Sequence, residues 1–417
     1  MTQYSEPSAQ PGILAKRLNG VSESATLKLN ALVQSMKAQG IPVVNLTAGE
    51  PDFNVPDAAK EAVIEAVKAN RSKYTPAPGI PELREAIARK TNLQQPSVAG
   101  HQPWKASDVI VTNGGKQALF NAFMALLDPG DEVLIPSPYW LSYPEMVKLA
   151  GGIPKFIPSS FGSGFKITPG ALQAALTPKV KILVINSPSN PTGAMYSRDE
   201  FAALGEVLLS HPGVWVMSDE IYDRITFGEV PFCSFLESTP GLRDRMITVN
   251  GMSKSAAMTG WRIGWSVAPA PVTGGMNTLQ GQSTSGINAL AQWASLAALK
   301  LPEKDFDSQI KTYLRRRNIA LEILGKTRKI ELFAPQGAFY LFAGVKACLK
   351  PGEDSVAFAE KLLQNAQVAV VPGTPFGDPE AVRLSFAIDD RSLQDGCERM
   401  VRYVSGEQDV LRSGGSQ

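Results

Sequence analysis

Residues 109–127 read VIVTNGGKQALFNAFMALL: a β-branched run, a pair of glycines, then a helical stretch. The unit recurs along the chain. Runs of the same kind stand at 132–135 (EVLI), 181–186 (KILVIN), 214–218 (VWVMS) and 246–250 (MITVN), each leading into a polar or Gly/Pro loop. Strands this apolar on both faces are buried on both sides, which predicts a mainly parallel sheet covered by helices, an α/β fold. Ligands of such sheets bind outside the carboxyl ends of the strands, so chemistry is expected in the segments that follow these runs.

A chain of 417 residues exceeds what one hydrophobic core usually supports, so two lobes are expected. The repeated units place the large lobe at 48–300. After residue 288, NALAQWASLAALKL and DSQIKTYLRRRNIALEIL read as helices separated by a break at Pro302. KIELF, AFYLF, VAVV and VRLSFA, with helices near 354–366 and 391–404, then predict a smaller α+β lobe over 301–405. The segment 13–47 carries the helical pattern TLKLNALVQSMKAQ and is expected to pack with that lobe, making the small domain discontinuous. Residues 1–12 and 406–417 read as flexible tails.

Composition narrows the function. A hydrophobic fraction of 44% with 19% charged residues is ordinary for a globular enzyme, and a net charge of +2 without a basic run gives no nucleic-acid surface. The three cysteines, Cys233, Cys348 and Cys397, are far apart and form no CxxC pair, which argues against a disulfide framework or a zinc site and fits a reducing compartment. The opening MTQYSEPSAQPG has no apolar run behind a basic start, so no signal peptide is expected. No stretch approaches the roughly 20 apolar residues of a membrane span. A cytoplasmic location follows. With only His101 and His211 present, each beside a Pro-containing loop, neither a histidine triad nor a multi-His metal site is expected, and no metal is expected. The chemistry must rest on Lys, Tyr, Asp and Arg, or on a cofactor.

Each strand end contributes something. The glycines after VIVT open a helix, where bare N–H groups and the dipole suit an anion. The nucleotide P-loop pattern fails there, because Ile110 stands at its first glycine and Gln117 follows Lys116. SPSNPTG follows KILVIN and holds Asn190 at the strand's mouth; SDEIY brings Asp219 and Tyr222 to the next; GMSKSAAMTGWRIG follows MITVN with Lys254 and Arg262. Singly these have bland readings: Asp219 as a cap, Tyr222 as core edge, Asn190 as turn chemistry. Together on adjacent strand ends they describe a site.

Over nearly its whole length the chain resembles the fold-type I, pyridoxal-phosphate-dependent class I aminotransferases, near the bacterial aspartate aminotransferase branch that includes prephenate-active enzymes. The resemblance is carried by LTAGEPDF (46–53), KYTPAPGIPELREAIA (73–88), VTNGGKQALFNAF (111–123), DPGDEVLIPSPYWLSYPEMV (128–147), NSPSNPTGA (186–194), SDEIYD (218–223), SKSAAMTGWRIGW (253–265), PQGAFYLF (335–342) and VVPGTPFG with VRLSFA (370–387). It implies a large domain with a mainly parallel seven-stranded sheet flanked by helices, a smaller α+β domain, and a homodimer with shared active sites.

The resemblance also assigns roles. Lys254 forms the Schiff base with the cofactor and then acts as acid and base in the proton shift, which requires an amine that is available unprotonated. Arg262 holds the cofactor phosphate with Ser253, Gly114 and Gly115, and Tyr74 reaches the phosphate from the neighbouring subunit; packing of that ring within its own subunit is the competing reading. Asp219 keeps the pyridine nitrogen protonated. Asn190 and Tyr222 bond the ring's phenolic oxygen, and Trp140 stacks on the ring; Trp140 and Asn190 also border the substrate. Arg383 clamps the substrate α-carboxylate, with Gly49 allowing close backbone approach.

Lys116 is a cation in the first turn of a helix, where it opposes the macrodipole, so a second anion nearby would account for it. In the resembled branch a lysine in this GGK, beside the cofactor, pairs with a threonine in an N-terminal SAT segment to serve acidic substrates, and Thr26 supplies that threonine. The arginine that other branches take from the second subunit has no candidate in STSGINALAQWA (283–294). The expected reaction is L-aspartate + 2-oxoglutarate = oxaloacetate + L-glutamate, by ping-pong kinetics. Alternatives are prephenate or aromatic and kynurenine-type substrates, a β-lyase outcome, and, most remotely, a non-catalytic aminotransferase-like regulatory module. No chemistry is assigned to HQPWKASD (101–108) or APAPVTGG (268–275).

Overall fold

The structure is a computed structural model that describes residues 14–22, 25–95 and 102–407. The expected tail 1–12 and residues 408–417 of the other lie outside the described residues, as does His101. A short strand, β1 (Val44–Asn45), precedes the main sheet. That sheet holds β2 (Val109–Asn113), β3 (Glu132–Ser137), β4 (Ile153–Pro158), β5 (Val180–Asn186), β6 (Trp215–Asp219), β7 (Met246–Gly251) and β8 (Ile263–Val267), in the order β2-β8-β7-β6-β5-β3-β4. All neighbours are parallel except β8, which is antiparallel to both β2 and β7.

Burial on both faces follows the two-residue alternation of a strand. Val109, Val111, Leu183, Ile185 and Val216 join one core, whereas Ile110, Ile182, Val184 and Met217 join another on the opposite face. The five runs of the sequence become β2, β3, β5, β6 and β7. The two strands not predicted have plain reasons. β4 is an edge strand with two prolines and only Ile157 buried, so it lacks an apolar run. β8 lies inside a motif dominated by its chemistry. The segment APAPVTGG, which had no assignment, starts the helix Ala270–Ser283, whose Val272 and Met276 pack on the sheet.

The remaining strands are β9 (Glu331–Leu332), β10 (Tyr340–Gly344), β11 (Val368–Ala369), β12 (Val371–Pro372) and β13 (Ala381–Ser385). An antiparallel sheet runs β12-β13-β10-β9, and β1 pairs parallel with β11. The helices Asp307–Leu324, Ser355–Ala366 and Asp390–Ser405 contribute to its core, which Leu46, Tyr222, Ile225 and Phe227 also enter. Val33, on the helix Ala25–Ala38, packs with Val43, Leu363 and Ala369. Arg316 ties the segment after Gly49 to this half of the molecule, bonding Asp52 at 2.8 Å and Asp390 at 3.0 Å.

Candidate active site

The carboxyl ends of β2, β5, β6 and β7 open on a cavity of about 580 Å³, bounded on its other side by β10 and β13. β7 ends at Gly251 and turns at once into the short helix Met252–Ser255, which carries Lys254 to the cavity. Its Nζ donates to the Gly49 carbonyl. Burial pushes the Lys254 ammonium down to about 8, helped by the Arg383 and Arg262 cations and opposed by Glu50 and Asp219. A lysine so placed is available as a neutral amine near neutral pH.

The distance to Arg262 follows from the topology. Because β8 runs antiparallel, its first residue lies at the same rim as the last residues of β7, and Gly251 pairs with Gly264. One short helix and the turn Thr259–Trp261 bridge the two, and Arg262 enters β8 at φ 57°. Its guanidinium donates to the Thr259 carbonyl at 3.0 Å and the Asn113 carbonyl at 3.3 Å. It lies against Gly114 (φ 82°), where a Cβ would come within 2.6 Å of its Nη2. Gly264 is equally constrained: a Cβ there would stand 2.2 Å from the Gly115 nitrogen. Gly114 caps the helix Gly115–Leu126, so its free N–H groups, Arg262 and the buried Ser253 converge on one spot.

Asp219 terminates β6 opposite Asn186, whose amide donates to the Asp219 carbonyl at 2.9 Å. Burial raises the Asp219 carboxyl to about 6, although Tyr143, the Ile221 N–H and Lys254 all pull the other way. Tyr143 donates to its Oδ2 at 2.6 Å and Ile221 N–H to its Oδ1 at 3.2 Å. Asn190 accepts from Arg383 Nη1 at 3.0 Å, and Arg383 Nη2 donates to the Thr47 carbonyl at 3.1 Å. Arg383 Nε is buried and has no partner among the described residues. Trp140 borders the cavity with Lys116, whose Nζ is 5.0 Å from the indole centroid; burial and then Arg262 lower the Lys116 pKa.

The structure therefore brings together Gly49, Gly115, Lys116, Trp140, Asn190, Asp219, Tyr222, Ser253, Lys254, Arg262 and Arg383 around one cavity, with Gly114 behind Arg262. Tyr74 is not among them: it is 100% exposed and does not line the cavity of its own chain. Thr26 falls in the helix Ala25–Ala38, and its side chain lies outside those described. Sequence reasoning missed Tyr143, Asn186 and Tyr340, which line the same cavity, and Glu50, which accepts from Thr259 Oγ1 at 2.8 Å. Tyr143 had a signal, standing three residues past Trp140 in YWLSYPEMV.

Residues 41–400 match the family of class I and II aminotransferases. The chain belongs to this family. It is 42% identical over 397 residues to a probable aspartate/prephenate aminotransferase of Rhizobium leguminosarum bv. phaseoli, covering 94% of this chain and 98% of the relative. It is 42% identical over 393 residues to an aspartate aminotransferase of Geobacillus stearothermophilus, covering 94% and 98%. Among solved structures it is similar to the aspartate aminotransferase of Rhizobium meliloti (TM-score 0.89, 38% identity, 94% and 98% covered). It is also similar to that of Thermus thermophilus with maleate (TM-score 0.87, 41% identity, 93% and 99% covered).

The aminotransferases of this class depend on pyridoxal phosphate, and this one is such an enzyme. Its donor set fits the group. A primary amine with a lowered pKa stands ready for an aldehyde, a buried carboxylate without a cationic hydrogen-bond partner suits a pyridinium, and a helix start with a guanidinium suits a phosphate. Among the described residues no cluster of His, Cys, Asp and Glu could hold a metal ion, and no helix is long and apolar enough to cross a membrane.

Proposed function

We propose that this aminotransferase exchanges the amino group of L-aspartate with 2-oxoglutarate, giving oxaloacetate and L-glutamate by a ping-pong mechanism. The observation that carries this is the pair of cations, Arg383 and Lys116, at one cavity with Lys254. A dicarboxylic amino acid has one carboxylate for each. Relatives named for aspartate, and the maleate bound by the Thermus structure, support the choice. Several relatives are named for prephenate as well, and a keto-acid of that size with two carboxylates meets the same two cations in a cavity of about 580 Å³.

In this proposal pyridoxal phosphate supplies an aldehyde and an electron-withdrawing ring that eases removal of the substrate α-proton. Lys254 would hold the group through its Nζ and, once released from it, would serve as the base that takes the proton from the substrate α-carbon; such transfers typically contribute about 10²–10⁴-fold. Asp219, ionised above its pKa of about 6, holds a proton on the ring nitrogen. Arg262, Ser253 and the N–H groups of the helix start at Gly115 would bind the phosphate, the Gly114 N–H being committed to the Thr112 carbonyl at 2.8 Å. Asn190 and Tyr222 donate to the ring oxygen, and Trp140 covers the ring. Arg383 orients the α-carboxylate, its unpartnered Nε leaving donor capacity for it, while Lys116, with Thr26, receives the distal carboxylate.

The proposal includes a homodimer in which Tyr74 of each subunit reaches the other's phosphate. Its support is a tyrosine wholly exposed in the single chain, next to a helix, Asp57–Lys68, that also exposes Ile64 and Val67. A partner subunit would cover these apolar side chains. The division into a large domain at 48–300 and a small one from 13–47 and 301–405 is proposed alongside, as is a cytoplasmic location, in keeping with three free cysteines.

The test is a panel of half-reactions, following the conversion of the loaded enzyme to its pyridoxamine form by single amino acids. Aspartate and glutamate convert it rapidly and phenylalanine does not. In Lys116→Ala the rate falls at least tenfold more for aspartate than for alanine. Equal losses on both would remove the assignment of Lys116. Prephenate, added to the pyridoxamine form, restores the starting spectrum if it is an acceptor.

A further inference from the structure

Tyr340 has no role in the scheme above, yet its hydroxyl lies 3.1 Å from that of Tyr222, and both residues are buried. Two strand registers make the pair. On β10, Tyr340 stands opposite Ser385 of β13 and Phe342 opposite Arg383, so Tyr340 and Arg383 are diagonal neighbours on one face. The Arg383 guanidinium accordingly lies 4.4 Å from the Tyr340 ring centroid, with Phe376 at 5.1 Å. Tyr222 arrives on the segment after β6, which bonds the approach to β10: Ala338 N–H donates to the Ile225 carbonyl at 2.9 Å and Phe227 N–H to the Gln336 carbonyl at 3.0 Å. The two phenol rings meet edge to face at 81°.

A phenol has one proton to give and lone pairs to receive another. If Tyr222 gives its proton to the cofactor's ring oxygen, its own oxygen is left to accept, and among the described residues Tyr340 is its hydrogen-bond partner. Accepting one hydrogen bond polarises a hydroxyl and strengthens the bond it donates.

We propose that Tyr340 is a positioning residue with two separable duties: its hydroxyl donates to Tyr222 and aims that residue's proton at the ring oxygen, and its ring face sets the plane of Arg383. The proposal rests on the reading that Tyr222 donates to the ring oxygen. It joins the α-carboxylate clamp to the ring oxygen through a single side chain.

The readout is the pH midpoint of the visible absorption of the resting holoenzyme, without substrate. Donors to an anionic oxygen favour the deprotonated form, so weakening them raises the midpoint. Tyr340→Phe, which keeps the ring, raises it by about half a unit and leaves KM for aspartate and alanine unchanged. Tyr340→Leu adds a several-fold rise in KM for both amino acids alike. Tyr222→Phe, measured in parallel, raises the midpoint further. A midpoint unmoved in Tyr340→Phe but raised in Tyr222→Phe overturns this proposal alone. A midpoint unmoved in Tyr222→Phe removes the role of Tyr222 and this proposal with it.

Discussion

Tyr143 is the hydroxyl donor to Asp219, at 2.6 Å from Oδ2, and both side chains are buried. The tyrosine is itself held by its N–H on the Trp140 carbonyl at 3.0 Å and by an edge-on contact with the Trp140 ring. Burial works against an ionised carboxylate at 219, and this donor is the largest of the influences that work for it.

Removing it has a predictable sign. A hydrogen bond to the charged form lowers a pKa, so Tyr143→Phe lifts Asp219 above its value of about 6. With charge-assisted bonds of this kind contributing about 1.5–3 kcal/mol, the rise is about one unit or more. Titration of the apoenzyme with pyridoxal phosphate checks it: the pH below which binding weakens moves upward by that amount. A superimposable pH dependence in the variant and the parent would refute the pairing.

Asp219 also makes a prediction about stability. Its carboxyl ionises at about 6 in the fold against 3.8 in the reference state, so between those values the folded chain keeps a proton that the unfolded chain has lost. The stability associated with that proton is fully present below pH 3.8 and disappears as pH rises through about 6. The total is about 3 kcal/mol. Asp219→Asn, as apoenzyme, is therefore more resistant to urea than the parent at pH 7.5, and the gap closes towards pH 4. A variant less stable than the parent at pH 7.5 would contradict the buried-charge account.

The proposed dimer can be tested by complementation. Tyr74→Ala leaves Lys254 intact in its own chain, and Lys254→Ala leaves Tyr74 intact. Separately, both are defective, the second without turnover. Dissociating and reassembling them together gives hybrids in which the Lys254-bearing site receives a tyrosine from the other chain, and activity rises above that of either parent. A mixture no more active than the Tyr74→Ala protein alone would place Tyr74 outside a shared site.

How much the sequence disclosed depended on whether a residue's role was local. Lys254, Asp219 and Asn190 each stand at or just after a strand end, so the strand pattern sufficed to gather them at one edge. Tyr143, Asn186 and Tyr340 act through partners 76, 33 and 118 residues away; the closeness of Tyr143 to Trp140 hinted at the site, but the spacing of a single chain does not name these partners. β8 was hidden for a related reason: its direction depends on pairing with β2 and β7, whereas its residues IGWSV offer only a short run behind a glycine motif. Tyr74 is the reverse case, a residue whose motif was legible and which the single chain leaves wholly exposed.

The reversal of β8 has one more consequence. Lys254 and Arg262 sit on a single uninterrupted peptide braced by two neighbouring strands, so the spacing of the two groups proposed to hold the coenzyme is built into the backbone of one sheet. Arg383 belongs to the other sheet. In the proposed function the grip on the incoming acid therefore comes from a sheet that shares no strand with the one that carries the coenzyme's two handles.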